Sequence, residues 1–386
     1  MFARPPLDIG VLFPAALLIA ALFFAGPALA TQAAKRPLTS VLVDSVGSIP
    51  ALALRLSGFL FLLIWISKML STAWWWVESG WRPVSAIEFG VIAATILLFA
   101  AFTGSQSLRI SAALARFTIR LAIAILLAAL IRVHLGWPAV LKGFPVVSQY
   151  SPAVDLGRGL SYLCFYAAPL AFLAADFGSR VRGRKLVAMT ALMGIAVPLA
   201  GSLLLVGAIN VATAASPYYQ PSLNPNIGMA LWGQAARRAV GPRMLIVAVT
   251  LFGSLRFGMR ALEEKLPGRF SLLAQGCSIS AIVWFSLHPT TKGIETVFEF
   301  CTMALVAASA VLTADVIARR QLVRARRIDW VGTLALVSGL AVPACIRVAE
   351  SWWHPWLLPS YGIAFTVCLF GRMVFHPRLS AFISSQ

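Results

Sequence analysis

Leu312 to Pro343 reads LTADVIARRQLVRARRIDWVGTLALVSGLAVP, and this stretch decides the fold class. It joins the end of one apolar run (294–316) to the start of another (330–349) through a loop holding Arg319, Arg320, Arg324, Arg326 and Arg327. About 20 mostly apolar residues in a helix span the hydrocarbon core of a bilayer. An arginine-dense loop between two such runs is the pattern of a cytoplasmic turn between membrane helices. The chain is therefore read as all-α and polytopic in the membrane.

The same pattern extends outward in both directions. Of the 386 residues, 60% are hydrophobic and 12% charged, and the mean hydropathy is +0.85. A soluble domain of this size cannot bury so much apolar surface, so lipid is the expected solvent. About 11 runs are long enough to cross: 9–30, 48–76, 84–103, 112–135, 158–177, 185–209, 242–260, 270–288, 294–316, 330–349 and 355–375. Together they make one transmembrane domain over residues 1–386, set in a cytoplasmic (inner) cell membrane.

Basic residues orient the stack. With the N-terminus outside, the inner gaps hold 19 of the 32 Lys and Arg and the outer gaps 10, with Arg55, Lys68 and Arg120 inside runs. The densest clusters all fall on the inner side, including Arg180, Arg182, Arg184 and Lys185, so the C-terminus is expected in the cytoplasm. The net charge of +19 is thus assigned to membrane anchoring, and nucleic acid is not an expected partner. Residues 1–30 end in Ala28-Leu29-Ala30, like a signal peptide. Cleavage there would turn every later basic cluster outward, so a retained span is expected. Of the outer segments, 136–157 is rich in Pro and Gly, and 227–240 reads as an amphipathic surface helix, either a decoration or a gate.

Chemistry-bearing residues are sparse. The five cysteines all lie in apolar runs without metal-binding spacing, and the four histidines sit at run ends. No phosphate loop, zinc pattern, nucleophile elbow or Asp-rich prenyl diphosphate motif occurs, and only 13 Asp and Glu are present. The chain is read as a non-enzyme with no metal and no cofactor. Arg55, Lys68, Glu88 and Arg120 are in-span charges; all except Arg120 lie within about two turns of a run end and are expected to reach the interface along their stems. Trp74 to Trp76, Trp81, Trp352, Trp353 and Trp356 read as an outer aromatic belt. Pro169 sits mid-run behind Tyr162, Phe165 and Tyr166, where a helix interruption either frees backbone groups for a ligand or makes a harmless kink. Pro198 and Pro343 are weaker cases of the same kind.

Two segments resemble a known family. LAADFGSRVRGRKLVAMTALMG (Leu173 to Gly194) and the opening stretch each end a span in Ala-Asp, pass through a basic loop and open the next helix. In order and spacing they are similar to the nucleobase–cation symporters, especially the cytosine and purine permeases. That resemblance implies a leucine-transporter-like fold of two inverted five-helix repeats plus two helices, with the chain matching the family's second to twelfth helices and its first repeat incomplete. The first repeat would cover about 9–150, the second 158–316, and the additional helices 330–375. Run 158–177 would be the family's broken sixth helix. Phe61 would stack on a planar base, with Trp65 one turn on and Gly58 where a polar neighbour is expected; Phe165, Tyr166 and Pro169 would complete the substrate site. Thr250 and Ser254 replace an Asn-rich segment and are the hydroxyls left for a sodium or proton-coupled step. The implied function is a permease for a nucleobase or related planar heterocycle, working by alternating access. A transport-inactive, truncated relative serving as a structural or interaction membrane protein is the alternative, and a lipid-modifying enzyme is a third class.

Overall fold

A computed structural model describes residues 14, 16–80, 85–106, 120, 124, 167–197, 271–288, 292–318, 329–349 and 357–375. Among them helices and their turns make up the whole structure, with no strand. Four helices are long and apolar enough to cross a membrane: Ala16–Ala34, Ser48–Ser71, Gly293–Ile317 and Leu357–Phe375. Shorter apolar helices, Ala86–Leu98, Gly276–Leu287 and Trp330–Ala341, accompany them. The protein is a helical membrane protein.

We number the helices α1 (Ala16–Ala34), α2 (Leu38–Val46), α3 (Ser48–Gly80), α4 (Ala86–Gln106), α5 (167–174), α6 (Arg184–Ala191), α7 (Ser271–Leu287), α8 (Lys292–Ile317), α9 (Trp330–Ala349) and α10 (Leu357–Phe375). The inner gap between the first two runs contains a short helix of its own, α2. Helix α1 stops at Lys35, which takes a left-handed conformation (φ 50°), and Pro37 is extended before the first turn of α2. Gly47, at φ 96°, then turns the chain from α2 into α3, a backbone angle that other residues adopt only under strain. At the start of α4 the Ser85 hydroxyl accepts from the Glu88 amide and the Glu88 carboxylate accepts from the Ser85 amide, both 3.2 Å. That reciprocal capping box explains Glu88, which had read as an in-span charge.

The chain divides into two compact units. Unit A takes residues 8–58, 152–200 and 297–386; unit B takes 1–7, 59–151 and 201–296. In unit A the centre is α8, where every residue from 304 to 315 is buried. A helix apolar all round is suited to that position. Helices α9 and α10 form a tight pair: a Cβ on Gly339 would press on the Ala364 methyl and the Ser360 carbonyl, and the Ser360 hydroxyl donates to the Gly339 carbonyl at 2.6 Å. Small residues with hydroxyl–carbonyl bonds are how helices associate where no hydrophobic driving force separates protein from lipid. In unit B, α3 and α4 meet through Trp74 stacked on Phe89 (4.8 Å), Gly90 faces Val283 of α7, and the Ser286 hydroxyl lies 3.2 Å from the Ser67 carbonyl.

Runs 48–76, 84–103, 270–288, 294–316, 330–349 and 355–375 each coincide with a helix. Run 112–135 (apart from residues 120 and 124), run 242–260 and the outer segments 136–157 and 210–241 lie outside the described residues, as does most of the boundary between the expected repeats.

Candidate functional site: two released turns and a buried guanidinium

Two helices carry a turn of the wider π type. In α1 it covers Ala20–Ala25, and the Gly26 amide donates to the Ala21 carbonyl, five residues back. The second, Leu192–Ala196, continues α6, and the Val197 amide reaches back to Leu192 in the same way. Each ends two residues before a proline in the sequence, Pro27 and Pro198. A proline brings no N–H, so the ladder before it loses a bond and the turn relaxes; such π turns recur where proteins bind and switch.

The first π turn frees a backbone acceptor. Because the Gly26 amide goes to Ala21, the Leu22 carbonyl is left to side chains of α8. The Ser309 hydroxyl donates to it at 2.9 Å. The Thr313 hydroxyl lies 3.4 Å from it and 2.9 Å from Ser309 O, so its single proton goes to the shorter, intrahelical bond. Thr313 also lies where a Cβ on Gly26 would stand, which is why a glycine occupies that place. Next to this turn Phe23 meets Tyr361 edge-on at 5.2 Å, and Tyr361 stacks on Phe365 at 6.1 Å. The freed carbonyl is thus taken up by Ser309, and the buried Phe23, Ser309 and Tyr361 join α1, α8 and α10 in one packed seam.

The second feature is Arg372, counted from the sequence among the 19 basic residues of the inner gaps; the structure places it inside the protein, 3% exposed. Its Nε donates to Asp315 Oδ1 at 2.8 Å, one terminal nitrogen to Asp329 Oδ1 at 2.8 Å, and the other to the Ser45 carbonyl at 3.0 Å. A charge buried in this setting persists only when paired and fully hydrogen-bonded, and the fork of an arginine fits three acceptors at once. Asp329 also caps α9, accepting from the Gly332 amide at 3.0 Å. A Cβ on Gly332 would collide with the Ser45 carbonyl, so this close approach requires glycine.

Both Ala-Asp motifs therefore act on α2. Asp315 works through Arg372 at its C-terminal end, whereas Asp176 accepts directly from the Leu38 amide at its N-terminal end (2.6 Å). The Val46 carbonyl takes further bonds from Thr333 Oγ1 (2.8 Å) and the Asp329 amide (3.2 Å). An anion at the start and a cation at the end complement the helix dipole. Sequence reasoning found these aspartates as a family signature but missed their role, because Ser45 O and Leu38 N are backbone groups that no motif advertises.

Of the residues proposed for substrate, Phe61 is wholly buried in α3 and Trp65 half-buried, both in unit B. Pro169 is buried in α5, in unit A, within helical backbone. Phe165 and Tyr166 lie outside the described residues, as do Thr250 and Ser254. Arg55 donates to the Thr39 carbonyl of α2 at 2.9 Å. Among the described residues no group of three or more His, Cys, Asp or Glu comes together as a metal site.

No known protein-family model and no curated protein matches this chain.

Proposed function

We propose that this protein is a secondary transporter of the nucleobase–cation symporter kind, moving a nucleobase or similar planar heterocycle by alternating access. One observation carries the reading. On the family's plan, run 9–30 is the second helix and run 185–209 the seventh, which hold the same place in the two five-helix repeats. Each bears a π turn ending two residues before a proline, and both turns belong to unit A. A shared irregularity at matching places is what a duplicated chain leaves. Unit A draws on the start of both repeats, together with the last run of the second and the two additional helices, and unit B on the runs between.

On this reading about 11 helices cross an inner membrane, with the N-terminus outside and the C-terminus in the cytoplasm. The substrate is bound beside Phe165, Tyr166 and Pro169 with Phe61 and Trp65, cations are coupled through Thr250 and Ser254, and no enzymatic step occurs. Uptake of labelled cytosine, uracil and purines by a permease-deficient host tests it. Accumulation above the empty vector for at least one compound is expected; vector-level uptake of all of them, with the protein shown to be in the membrane, rejects it. One observation favours a second reading, a structural or interaction protein without transport: Phe61, the intended stacking face, is covered on all sides.

A further inference from the structure

The exposed cations among the described residues of unit A converge on one end of α1. The 3₁₀ turn Ala175–Arg180 lies against α1: the Thr31 hydroxyl is 3.0 Å from the Ala175 carbonyl, and Gly178 packs on the Ala28 carbonyl so closely that a Cβ has no room. The bond from Leu38 N–H to Asp176 closes the same corner from the other side. Two loops distant in sequence, 35–37 and 180–185, therefore emerge side by side. They carry Lys35, Arg36, Arg180, Arg182, Arg184 and Lys185, all exposed.

Of the described carboxylates at this end, one pairs with a cation of the patch and the others are engaged elsewhere. Asp44 pairs with Arg36 at 2.9 Å, Asp176 holds the Leu38 amide, and Asp315 and Asp329 hold Arg372. The corner so keeps a concentrated positive charge. Beside it stand Phe177, Leu186 and Met189, 50%, 49% and 58% exposed. Cations bordering bare apolar side chains, at the end of membrane-spanning helices, match the chemistry of a phosphodiester headgroup above acyl chains.

We propose that loops 35–37 and 180–185 form a binding surface for anionic phospholipid, with Arg182, Arg184, Lys185 and Lys35 on the headgroup phosphate and Phe177, Leu186 and Met189 against its acyl chains. The occupant is a lipid rather than a soluble anion, because the apolar side chains stand within the same patch.

The test uses the full chain in neutral detergent, with thermal unfolding followed as phosphatidylglycerol or phosphatidylcholine of identical acyl chains is added. Phosphatidylglycerol is expected to raise Tm by several degrees and phosphatidylcholine to leave it in place, because a ligand bound to the native state alone stabilises it. R182Q/R184Q/K185Q should lose at least half of that gain, while R319Q/R320Q/R324Q, equal in net charge, keeps it. Equal losses in the two variants would mean a diffuse attraction and overturn the site. A gain reproduced by inorganic phosphate or glycerol 3-phosphate alone would overturn the lipid assignment, as would an equal gain from phosphatidylcholine. Should the triple variant not fold, the pair K35Q/R182Q replaces it, read by native mass spectrometry. Retention of as much phosphatidylglycerol as the wild type then rejects the proposal, and loss of it supports the site.

Discussion

Arg372 donates from three nitrogens to α8, α9 and α2 while itself belonging to α10. Removing one partner of a buried ion pair leaves the other charge uncompensated, which costs about 3–5 kcal/mol. Arg372→Met is thus expected to lower the unfolding midpoint in detergent sharply, and adding Asp315→Leu should recover part of the loss. A double variant no more stable than Arg372→Met alone would show that Asp315 is not the group the guanidinium neutralises. Glycines give a second contrast at this scale. Gly332→Ala drives a methyl into the Ser45 carbonyl and should destabilise by roughly 1–3 kcal/mol, as overpacking does. Gly276→Ala, in α7, meets open space and should be neutral or slightly stabilising, since alanine is the better helix former. Thermal melts of the two variants side by side decide the matter.

At the scale of elements, α2 is the piece whose existence depends most on its neighbours. Nine residues are too few for a stable isolated helix, so its ends must be held by others. Asp176→Ala deprives the Leu38 amide of its acceptor, a loss of about 1 kcal/mol for a cap of this kind. Hydrogen exchange across Leu38–Val46 should accelerate in that variant while α8 stays protected. Unchanged exchange in α2 would mean that the Arg372 end alone secures it. The π turn of α1 invites the reverse experiment. Pro27→Ala restores an N–H that can bond the Phe23 carbonyl, removing the reason for the wide turn. The hydroxyl of Ser309 would then compete with a backbone donor for Leu22, and protection at Gly26 and Ala25 should change without loss of the fold.

For the whole molecule, the positive-inside pattern predicts that tags at the two termini report opposite compartments, the N-terminal tag accessible from outside intact cells and the C-terminal tag only after permeabilisation. Finding both on one side contradicts the odd number of crossings. The membrane character and most described helices were readable from the chain, because a run of some 20 apolar residues has few other ways to satisfy its backbone in lipid. Run 330–349 matches α9 in both bounds, and 355–375 matches α10 to within two residues at its start. The short α2 was not readable, since nine residues with Thr39, Ser40, Asp44 and Ser45 look like a polar loop.

Sequence by itself thus determined the solvent of this protein, the helical class and the position of most described helices, because hydropathy acts locally and needs only the residues in each run. Only the tertiary structure decided which charges are solvated and which are structural. Arg372 and Arg182 look alike in a string of letters, yet one is sealed against Asp315, Asp329 and the Ser45 carbonyl and the other stands exposed in the loop 180–185. The difference arises because the partners come from helices more than forty residues away and include backbone carbonyls, whose availability depends on how helices end and meet rather than on side-chain identity.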